Sequence, residues 1–396
     1  MAEYATGSCC QGEKHHDQGP GQSQVSCGPS KDDEMVRTEE GCCGGSIRRK
    51  GTVFSDEDFV IAVDRSGKAP VKKTTAQLTF KDHLATIKVR CGLGRNRYAI
   101  KPGLYSIGTP DDTSPVLVSA NYKLSFDHLR RELVSIDAWI LVLDTDGVNV
   151  WCAAGKGTFA TDELLAQIEQ TGLADRISHR RVIVPQLGAT GISGYRVKQT
   201  SGFKVVWGPV YAKDIPEFLA SGLKSTRAMK QVHFPLRERL VLTPVELKML
   251  VKPAFLILAA LALLSGIDPH GYSLNRAIDR GSVVLASGLL GILAGTVMTP
   301  VLLPWVPFRS FYLKGLLVGL MASGVLLGMA VSLSVTEGIA AGLFTTALSS
   351  NLAMNFTGST PYTSPSGVEK EMKQGLPVQL LAIVVALLLW LLSPFI

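Results

Sequence analysis

The chain has 396 residues, of which 46% are hydrophobic and 18% are charged, and its formal net charge at pH 7 is +7. This length allows two or three domains. Soluble proteins carry about 25% charged residues, so the composition excludes a wholly disordered chain and argues against a purely soluble one. The basic residues are spread along the chain without a helix-turn-helix or RNA-binding signature, which argues against a nucleic-acid partner.

The first 50 residues are rich in Gly, Ser, Gln and charged side chains, which predicts a disordered tail. The two Cys-Cys pairs of this tail are either a site for a soft metal or incidental thiols of a solvated segment. The odd number of cysteines and the lack of an apolar leader run argue against a secreted disulfide framework. We therefore expect the globular part to face the reducing cytoplasm. The seven cysteines are Cys9, Cys10, Cys27, Cys42, Cys43, Cys91 and Cys152.

Residues 51–230 alternate short apolar runs with helical stretches, as is typical of an α/β domain. Between the first two of three predicted strands, Thr161–Glu169 has helical periodicity, with Thr161 or Asp162 as N-cap. Branched-chain strands without alternation indicate a parallel sheet that is covered on both faces. Ligands of such sheets bind at the carboxyl ends of the strands. The predicted buried strands are Ala138–Asp144, Arg181–Leu187 and Phe203–Val206.

After a predicted linker at residues 231–250, the chain becomes strongly apolar over residues 251–396. Each apolar stretch is near the ~20 residues that span a bilayer, and the glycines within them suit close helix packing. The predicted architecture is an α/β Rossmann-like domain followed by an all-α transmembrane domain of about five helices. The stretches lie at about 252–267, 282–303, 313–335, 337–355 and 376–393, and the glycines are Gly288, Gly291, Gly295, Gly315 and Gly319.

The basic residues that flank these stretches predict the orientation, because cytoplasmic loops carry an excess of Lys and Arg. With the N-terminal side in the cytoplasm, the outer loops hold only Arg276 and Arg280. The inner flanks then hold Arg237, Arg239, Lys248, Lys252, Arg309, Lys314, Lys370 and Lys373. We therefore expect a multi-pass protein of the cytoplasmic membrane with its α/β domain on the cytoplasmic side.

The segment Asn149–Thr158 (Asn-Val-Trp-Cys-Ala-Ala-Gly-Lys-Gly-Thr) lies between a predicted strand and a predicted helix, where sheet-based sites occur. Its end resembles a phosphate-binding Walker loop, but that loop needs glycine at the position of Val150. A cysteine hydrolase would need a histidine partner, and none lies near Cys152 in the sequence. From the residues alone, a functional cysteine and a small buried cysteine in a tight turn both stay open.

The run Asn149–Lys156 resembles the signature of the corrinoid protein family of microbial mercury methylation (HgcA). The segments Arg95–Pro110, Val118–Asp127 and Trp139–Thr158 also resemble that family, as does the order of one corrinoid domain and about five membrane spans. The resemblance covers roughly residues 90–396. The α/β domain is also similar to the corrinoid domain of the corrinoid iron–sulfur protein of the acetyl-CoA pathway, which lacks the membrane region.

This resemblance implies that Cys152 is the lower axial ligand of the cobalt in a corrinoid, a cobalamin or related B12 derivative. The histidine motif Asp-x-His-x-x-Gly of other B12 proteins is missing: Asp268-Pro269-His270 comes nearest, but its glycine position holds Ser273. The implied enzyme is a corrinoid-dependent methyltransferase that passes a methyl group from Cys-ligated methyl-Co(III) corrinoid to thiol-bound Hg(II), giving methylmercury. A thiolate is a strong soft donor, so it would favour release of the methyl group as a carbanion equivalent or a radical.

The resemblance also implies which residues hold the corrinoid. Small side chains after Cys152 leave room for a flat macrocycle, Lys156 meets a corrin amide or the tail phosphate, and two serines line the lower face. A glycine-rich loop at Gln186–Gly194 is weakly similar to a dinucleotide loop, but we predict no helix after it and so reject an NAD site. That loop either receives the nucleotide tail or is a plain turn. The predicted cofactor-binding residues are Asn149, Val150, Trp151, Cys152, Ala153, Ala154, Gly155, Lys156, Ser119, Ser125, Gln186, Gly188 and Ala189.

The family resemblance implies two partner systems: a methyl donor linked to methyl-folate and a small [4Fe–4S] ferredoxin that restores Co(I). The sequence has no iron–sulfur cysteine pattern of its own, so the electrons would come from another protein. Two alternatives stay open. One is a corrinoid methyl carrier of one-carbon metabolism with another acceptor, and the other is a metal transporter with a cytoplasmic sensing domain.

Overall fold

The computed structural model describes residues 57–95, 98–329, 333–359 and 365–396. The predicted tail and its five cysteines lie outside these residues. A seven-stranded sheet forms the core of the first part of the chain, in the order β1-β2-β3-β5-β4-β6-β7. Its strands are β1 Val60–Asp64, β2 Val71–Thr74, β3 Gly103–Ile107, β4 Val116–Ala120, β5 Ala138–Leu143, β6 Arg181–Val184 and β7 Lys204–Trp207.

The sheet is mixed, whereas the sequence predicted a parallel one. Strand β4 pairs parallel with β5 and β6, and β6 pairs parallel with β7. In contrast, β3 pairs antiparallel with β5, and β1 pairs antiparallel with β2. The three predicted strands are present as β5, β6 and β7. Strand β4, which was not predicted, lies between β5 and β6. Every residue of β4 and β5 is buried, which explains their lack of alternation.

Helices cover both faces of the sheet, as predicted. Val118 and Ala120 of β4 pack in one cluster with Ala153 and Leu164, while Leu117 packs on the other face with Phe126. The helices of this domain are α1 Phe80–Arg90, α2 Lys123–Arg131, α3 Val150–Lys156, α4 Thr161–Thr171, α5 Leu173–Arg176, α6 Gly194–Ser201 and α7 Ile215–Ala220.

A buried group of four charged side chains joins α1 to α2. Lys123 donates to Asp82 at 2.6 Å and to Asp127 at 2.7 Å. Arg130, which is fully buried, donates to the same two carboxylates at 2.9 and 2.7 Å. Each charge is therefore paired twice, the arrangement that a buried ion pair requires.

The second part of the chain is helical. A short hairpin of β8 Ile267–Asp268 and β9 Gly271–Tyr272 follows the first long helix. Helix α8 begins at Leu236, so most of the predicted linker at residues 231–250 is helix. The helices are α8 Leu236–Leu264, α9 Leu274–Leu293, α10 Thr299–Leu302, α11 Phe311–Met329, α12 Val335–Asn355 and α13 Pro365–Leu392, and a π-helical stretch at Ala294–Met298 joins α9 to α10.

Among the described residues, four helical segments are long and apolar enough to cross a membrane, not five. They are Leu236–Leu264, Leu274–Leu302, Phe311–Met329 and Gly367–Phe395. The predicted stretch at residues 337–355 is helical, as α12, but its composition is too polar to be counted with them. Four long apolar helices could therefore span a membrane.

Helix α12 nevertheless runs between the same two ends as its neighbours. At one end Glu337 accepts a 2.9 Å bond from Arg280 of α9, and Arg280 also lies over the Trp390 ring of α13. At the other end Thr357, just after α12, donates a hydrogen bond to the buried carboxylate of Glu371. The same carboxylate accepts a bond from the Phe311 amide and so caps the start of α11. The helix is packed by the others along its length.

Small residues allow this central packing, as the sequence predicted. A methyl group at Gly295 or Gly315 would clash with the backbone around Ser349 of α12. The hydroxyl groups of Ser349 and Ser350 donate 2.8 Å bonds to the carbonyls of Gly315 and Tyr312 in α11. Ser349 and Ser350 thus bond the neighbouring helix, which explains why the composition of α12 differs from that of a lipid-facing helix.

Candidate functional site

The segment that the sequence singled out forms the short helix α3 at the carboxyl edge of β4 and β5. Its first turn is closed by Asn149, whose side-chain oxygen accepts a 2.9 Å bond from the Cys152 amide. This is N-capping, which Asn favours because its oxygen satisfies a free amide of the first turn. The helix ends at Gly157 in a left-handed conformation with φ of 80°. Cys152 has a free thiol and is half-buried.

A buried asparagine from the neighbouring strand holds the loop that leads into α3. The side-chain oxygen of Asn121 accepts bonds from the amide and hydroxyl of Thr145 at 3.0 and 2.8 Å and from the Gly147 amide at 2.9 Å. Its amide group donates to Asp144 at 3.0 Å. The loop needs this support because Asp146 and Gly147 both have positive φ, 55° and 69°, which is unfavourable for Asp. Asn121 therefore fixes the backbone that positions Cys152.

Tyr122 follows Asn121 and lies close enough to Cys152 to interact with it electrostatically. Burial raises the pKa of the Tyr122 hydroxyl, and the neighbouring Cys152 adds to the rise, while the charges of Arg95 and Arg90 oppose it. The tyrosine therefore stays neutral beside the thiol. Tyr98 packs edge-on against the Tyr122 ring at 6.3 Å. Both rings are buried, in one cluster with Val89 of α1.

The small residues after Cys152 divide into two kinds. Ala153 and Ala154 are buried against the sheet, so they fix α3 rather than face a ligand. Gly155 and Gly157 are exposed, and an added methyl group at either would meet nothing within 4 Å. Lys156 between them is exposed as well. Val150 and Trp151 are half-buried at the start of the helix.

The two serines predicted to line the site lie on the other side of the sheet edge. Because side chains alternate along a strand, Ser119 of β4 points to the same face as Leu117, opposite Ala153. It is 3% exposed and donates to the carbonyl of Ala120 at 3.3 Å. Ser125 is half-buried in the first turn of α2. The structure thus brings neither hydroxyl to the side of α3 that holds Ala153 and Ala154.

The glycine-rich loop lies beside α3 and makes a 3-10 turn over Gln186–Gly188. Its glycines serve close packing, because a methyl group at Gly188 or Gly191 would clash with Phe159. Gln186 and Ala189 are half-buried. A helix does follow this loop: α6 begins after Ser193, whose hydroxyl caps it. The expectation that no helix would follow was therefore wrong.

The N-cap predicted for α4 was also wrong. Ala160 occupies that position without a side-chain bond. The hydroxyl of Thr161 instead accepts a 2.8 Å bond from the Ser193 amide. It therefore ties α4 to the glycine-rich loop.

A family model described as the CO dehydrogenase/acetyl-CoA synthase delta subunit matches residues 84–219. The chain is 36% identical over 127 residues to an acetyl-CoA decarbonylase/synthase complex subunit gamma of Methanopyrus kandleri, covering 32% of this chain and 27% of that protein. The subunit gamma of Methanothermobacter thermautotrophicus is 32% identical over 204 residues, covering 44% of each chain. The corrinoid/iron-sulfur protein large subunit of Moorella thermoacetica is 29% identical over 128 residues, covering 32% of this chain and 28% of that protein.

The chain thus spans less than half the length of these curated relatives. Their similarity confirms the expected likeness of the α/β domain to the corrinoid iron–sulfur protein. The family model's match ends before α8 begins. The finer resemblance to the mercury-methylation family stays a prediction.

Sequence reasoning found Cys152 and Asn149 but missed the supporting residues Asn121 and Tyr122. Both lie in the quoted segment Val118–Asp127, yet no pattern marked them because their partners are more than 20 positions away in the chain. The signal that could have found Asn121 is the strand β4, Val116–Ala120, which ends just before it and was not predicted. An asparagine at the carboxyl end of a strand next to β5 is well placed to bind the loop after β5.

Proposed function

We propose that this protein is a membrane-anchored corrinoid protein that carries a methyl group and transfers it to Hg(II), with Cys152 as the lower axial ligand. The observation that carries the proposal is the position of the Cys152 thiol. It is free and half-buried on a capped helix at the carboxyl edge of the sheet. The relatives named above include a corrinoid/iron-sulfur protein large subunit.

The residues around Cys152 fit a flat macrocycle. Gly155 and Gly157 leave open space above the exposed surface of α3, and Tyr122 offers a neutral aromatic neighbour. A single soft protein ligand is what a corrinoid's lower axial position needs, since the macrocycle supplies the other nitrogen donors. When bound, the corrinoid would supply the cobalt that carries the methyl group.

The chain's own residues would bind and orient that group. Asn149 and Asn121 hold the backbone on both sides of Val148–Cys152, so the thiol keeps one direction. Lys156 is free to meet an amide or the tail phosphate of the corrinoid. A thiolate in place of a neutral imidazole pushes more electron density onto the metal, and axial ligands are the protein's main means of tuning such a cofactor. This electronic argument supports a soft electrophile such as thiol-bound Hg(II) as the acceptor.

The same proposal includes the partners that the chain cannot replace. A methyl-folate-linked system would supply the methyl group, and a [4Fe–4S] ferredoxin-type protein would supply electrons. The protein would lie in the cytoplasmic membrane, with α8, α9–α10, α11, α12 and α13 as five spans. Contacts of Glu337 with Arg280 and of Thr357 with Glu371 support α12 as the fifth, because they place its ends level with those of its neighbours.

A second candidate is a corrinoid methyl carrier that serves one-carbon metabolism with another acceptor. The names of the relatives favour it, since they belong to acetyl-CoA decarbonylase/synthase complexes. The two candidates share Cys152 and the corrinoid and differ only in the acceptor. A metal transporter with a sensing domain has weaker support, because the buried polar side chains of the bundle, such as Glu371 and Ser349, are occupied by helix contacts.

The test is a single turnover with the full-length protein, purified without oxygen and placed in nanodiscs. The protein is loaded with methylcobalamin and thiol-bound Hg(II) is added, while the corrin absorption spectrum and methylmercury are followed together. We expect methylmercury to form as the cobalt–methyl bands disappear. A bound corrinoid without methylmercury would favour the second candidate. A protein that binds no corrinoid would exclude both and leave metal flux into vesicles to be measured.

A further inference from the structure

Helix α1 has its apolar side turned outward. Phe80, Leu84 and Ile87 lie on one face, at the i, i+4, i+7 spacing, and are 82%, 42% and 59% exposed. The opposite face is the buried one and holds Asp82 and Val89, 8% and 4% exposed. The buried Asp82 is paired with Lys123 and Arg130, so the orientation of α1 is fixed by its polar side. We call Phe80, Leu84 and Ile87 the α1 stripe.

Basic side chains border the α1 stripe. At 100° per residue, Lys81 and Lys88 lie along one border and His83 and Arg90 along the other, where Arg90 is half-buried against His128. Lys81 and Lys88 are exposed, and Lys81 makes only a surface pair with Asp58 at 3.2 Å. The sole acid of the helix, Asp82, is on the buried face. An apolar stripe between basic borders is the pattern of a helix that lies in the surface of an anionic bilayer.

The end of α1 contacts α8, the first candidate span, near the point where the charged residues of α8 end. Lys248 of α8 donates a 2.6 Å bond to the carbonyl of Gly92, two residues after α1. Lys252 is the last charged residue of α8. Beyond it, Phe255 and Leu256 are 71% and 67% exposed, as expected of side chains that face lipid. The end of α1 therefore lies beside Lys248, four residues before the last charged residue of α8.

We propose that α1 lies in the cytoplasmic surface of the membrane, with the α1 stripe in the acyl–headgroup boundary and the exposed Lys81 and Lys88 among anionic headgroups. This inference rests on the proposed membrane insertion of α8. It makes α1 a second attachment of the α/β domain to the bilayer. Burial of three apolar side chains and attraction of each nearby Lys or Arg to anionic lipid both favour that position. The bonded contact with α8 and the exposed charges of Lys81 and Lys88 favour lipid over a protein partner.

The first experiment uses the full-length protein in nanodiscs that contain phosphatidylglycerol. A benzophenone amino acid replaces Ile87, Phe255 or Tyr195 in three separate variants. Phe255 is the positive control in α8, and Tyr195, 71% exposed on α6, is the control for an exposed ring remote from α8 in sequence. After irradiation, mass spectrometry identifies the adduct. We expect lipid adducts at positions 87 and 255 and none at 195.

Each other result has a distinct meaning. Lipid at 255 but none at 87, or a protein adduct at 87, would overturn the inference and leave the membrane anchor intact. Absence of lipid at 255 would overturn both this inference and the proposed anchor, but not the corrinoid site. Equal lipid adducts at 87 and 195 would overturn the inference by showing unspecific labelling.

The second experiment tests the charge. Hydrogen exchange of residues 80–90 is compared between nanodiscs of anionic and neutral lipid. We expect slower exchange in anionic lipid for the natural sequence, and an increase of the exchange rate by about fivefold for Lys88→Gln, the effect of about one basic residue near an anionic surface. The same increase is expected for Phe80→Ser with Ile87→Ser. Unchanged exchange in these variants, with Tyr195→Ser as control, would contradict the proposal.

Discussion

The backbone amide of Cys152 donates a 2.9 Å hydrogen bond to the side-chain oxygen of Asn149, three residues earlier in the chain. Asn149, which follows the loop after β5, thus also fixes the helical turn that carries the Cys152 thiol. Replacing an Asn cap by Ala costs about 1 kcal/mol. We expect Asn149→Ala to lower the free energy of unfolding by that amount and to weaken corrinoid retention, as measured by thermal unfolding and by gel filtration of the loaded protein. Asn149→Ser, which keeps a capping oxygen, should restore both, and failure of that rescue would point to a direct contact instead.

Cys152→Ala should abolish methyl transfer in the single-turnover assay, because no other described thiol lies at the carboxyl edge of the sheet. Cys91→Ala is the matched control, since Cys91 is the other free cysteine that the structure describes and it ends α1. We also expect Cys152→Ala to change the visible spectrum of bound corrinoid, which reports the axial ligand. A normal spectrum and rate in Cys152→Ala would contradict the site assignment.

Asn121→Ala should destabilise the loop before α3, because it leaves the amides of Thr145 and Gly147 without their acceptor. Buried groups left without a partner cost about 1–3 kcal/mol each. Asn121→Asp keeps the acceptor but brings its charge against Asp144, 3.0 Å away. Adding Asp144→Asn to Asn121→Asp exchanges donor and acceptor and should recover most of the stability and corrinoid binding. If the double variant is no more stable than Asn121→Asp alone, the contact between residues 121 and 144 is not the cause of the lost stability.

Gly315→Ala and Gly324→Ala form a matched pair on α11. A methyl group at Gly315 would clash with Ala353 and the Ser349 carbonyl of α12, while at Gly324 it would meet nothing within 4 Å. We expect Gly315→Ala to lower the unfolding temperature of the full-length protein in nanodiscs. Gly324→Ala should leave it unchanged or raise it, because alanine favours helix. Similar effects of both would argue that the bundle packs differently.

Acid should weaken the contact between α1 and α2. Burial alone would raise the pKa of Asp82, but hydrogen bonds from Lys123 and the Thr79 amide and the charge of Arg130 hold it well below the ordinary 3.8. The ionised carboxylate therefore stabilises the fold fully above about pH 4, and this stabilisation is lost as the pH falls toward the folded pKa. Asp82→Asn should cost about 3 kcal/mol at neutral pH and flatten the acid dependence of unfolding.

Asp58→Asn is the control for Asp82→Asn, because the Asp58 carboxylate pairs with Lys81 on the surface, where a pair contributes little. The unfolding curves of Asp58→Asn should match those of the protein with the natural sequence at each pH. A steep acid dependence that survives in Asp82→Asn would assign it to other carboxylates.

The sequence predicted the elements whose signal is local. The apolar runs of β5 and β6 and the helical periodicity of α4 were sufficient to predict these three elements. The position of β4 between β5 and β6 and the reversed direction of β3 depend on pairing between distant segments, which no local pattern encodes. Helix α1 was not predicted, although Phe80, Leu84 and Ile87 have helical spacing, and it buries Asp82 and exposes Phe80, the reverse of a core helix.

The candidate site divides in the same way. The motif led to Cys152 and its cap Asn149, which are adjacent in sequence. Asn121 holds the loop from a different strand, and Ser119, which is predicted to bind the corrinoid, lies on the face of β4 opposite Ala153. Side-chain direction at a sheet edge follows from register, and the register was not available from the sequence.

The central position of α12 has a consequence for how the protein is made. In a bilayer, a helix with exposed Ser, Thr and Asn side chains cannot leave the insertion machinery alone, because lipid offers its hydroxyls no partners. Those partners are carbonyls of α11, which is synthesised just before it, and Gln379 of α13, just after it. If α12 spans a membrane as proposed, its insertion would be coupled to its packing against these neighbours, so that membrane integration and tertiary assembly of the bundle would become one step.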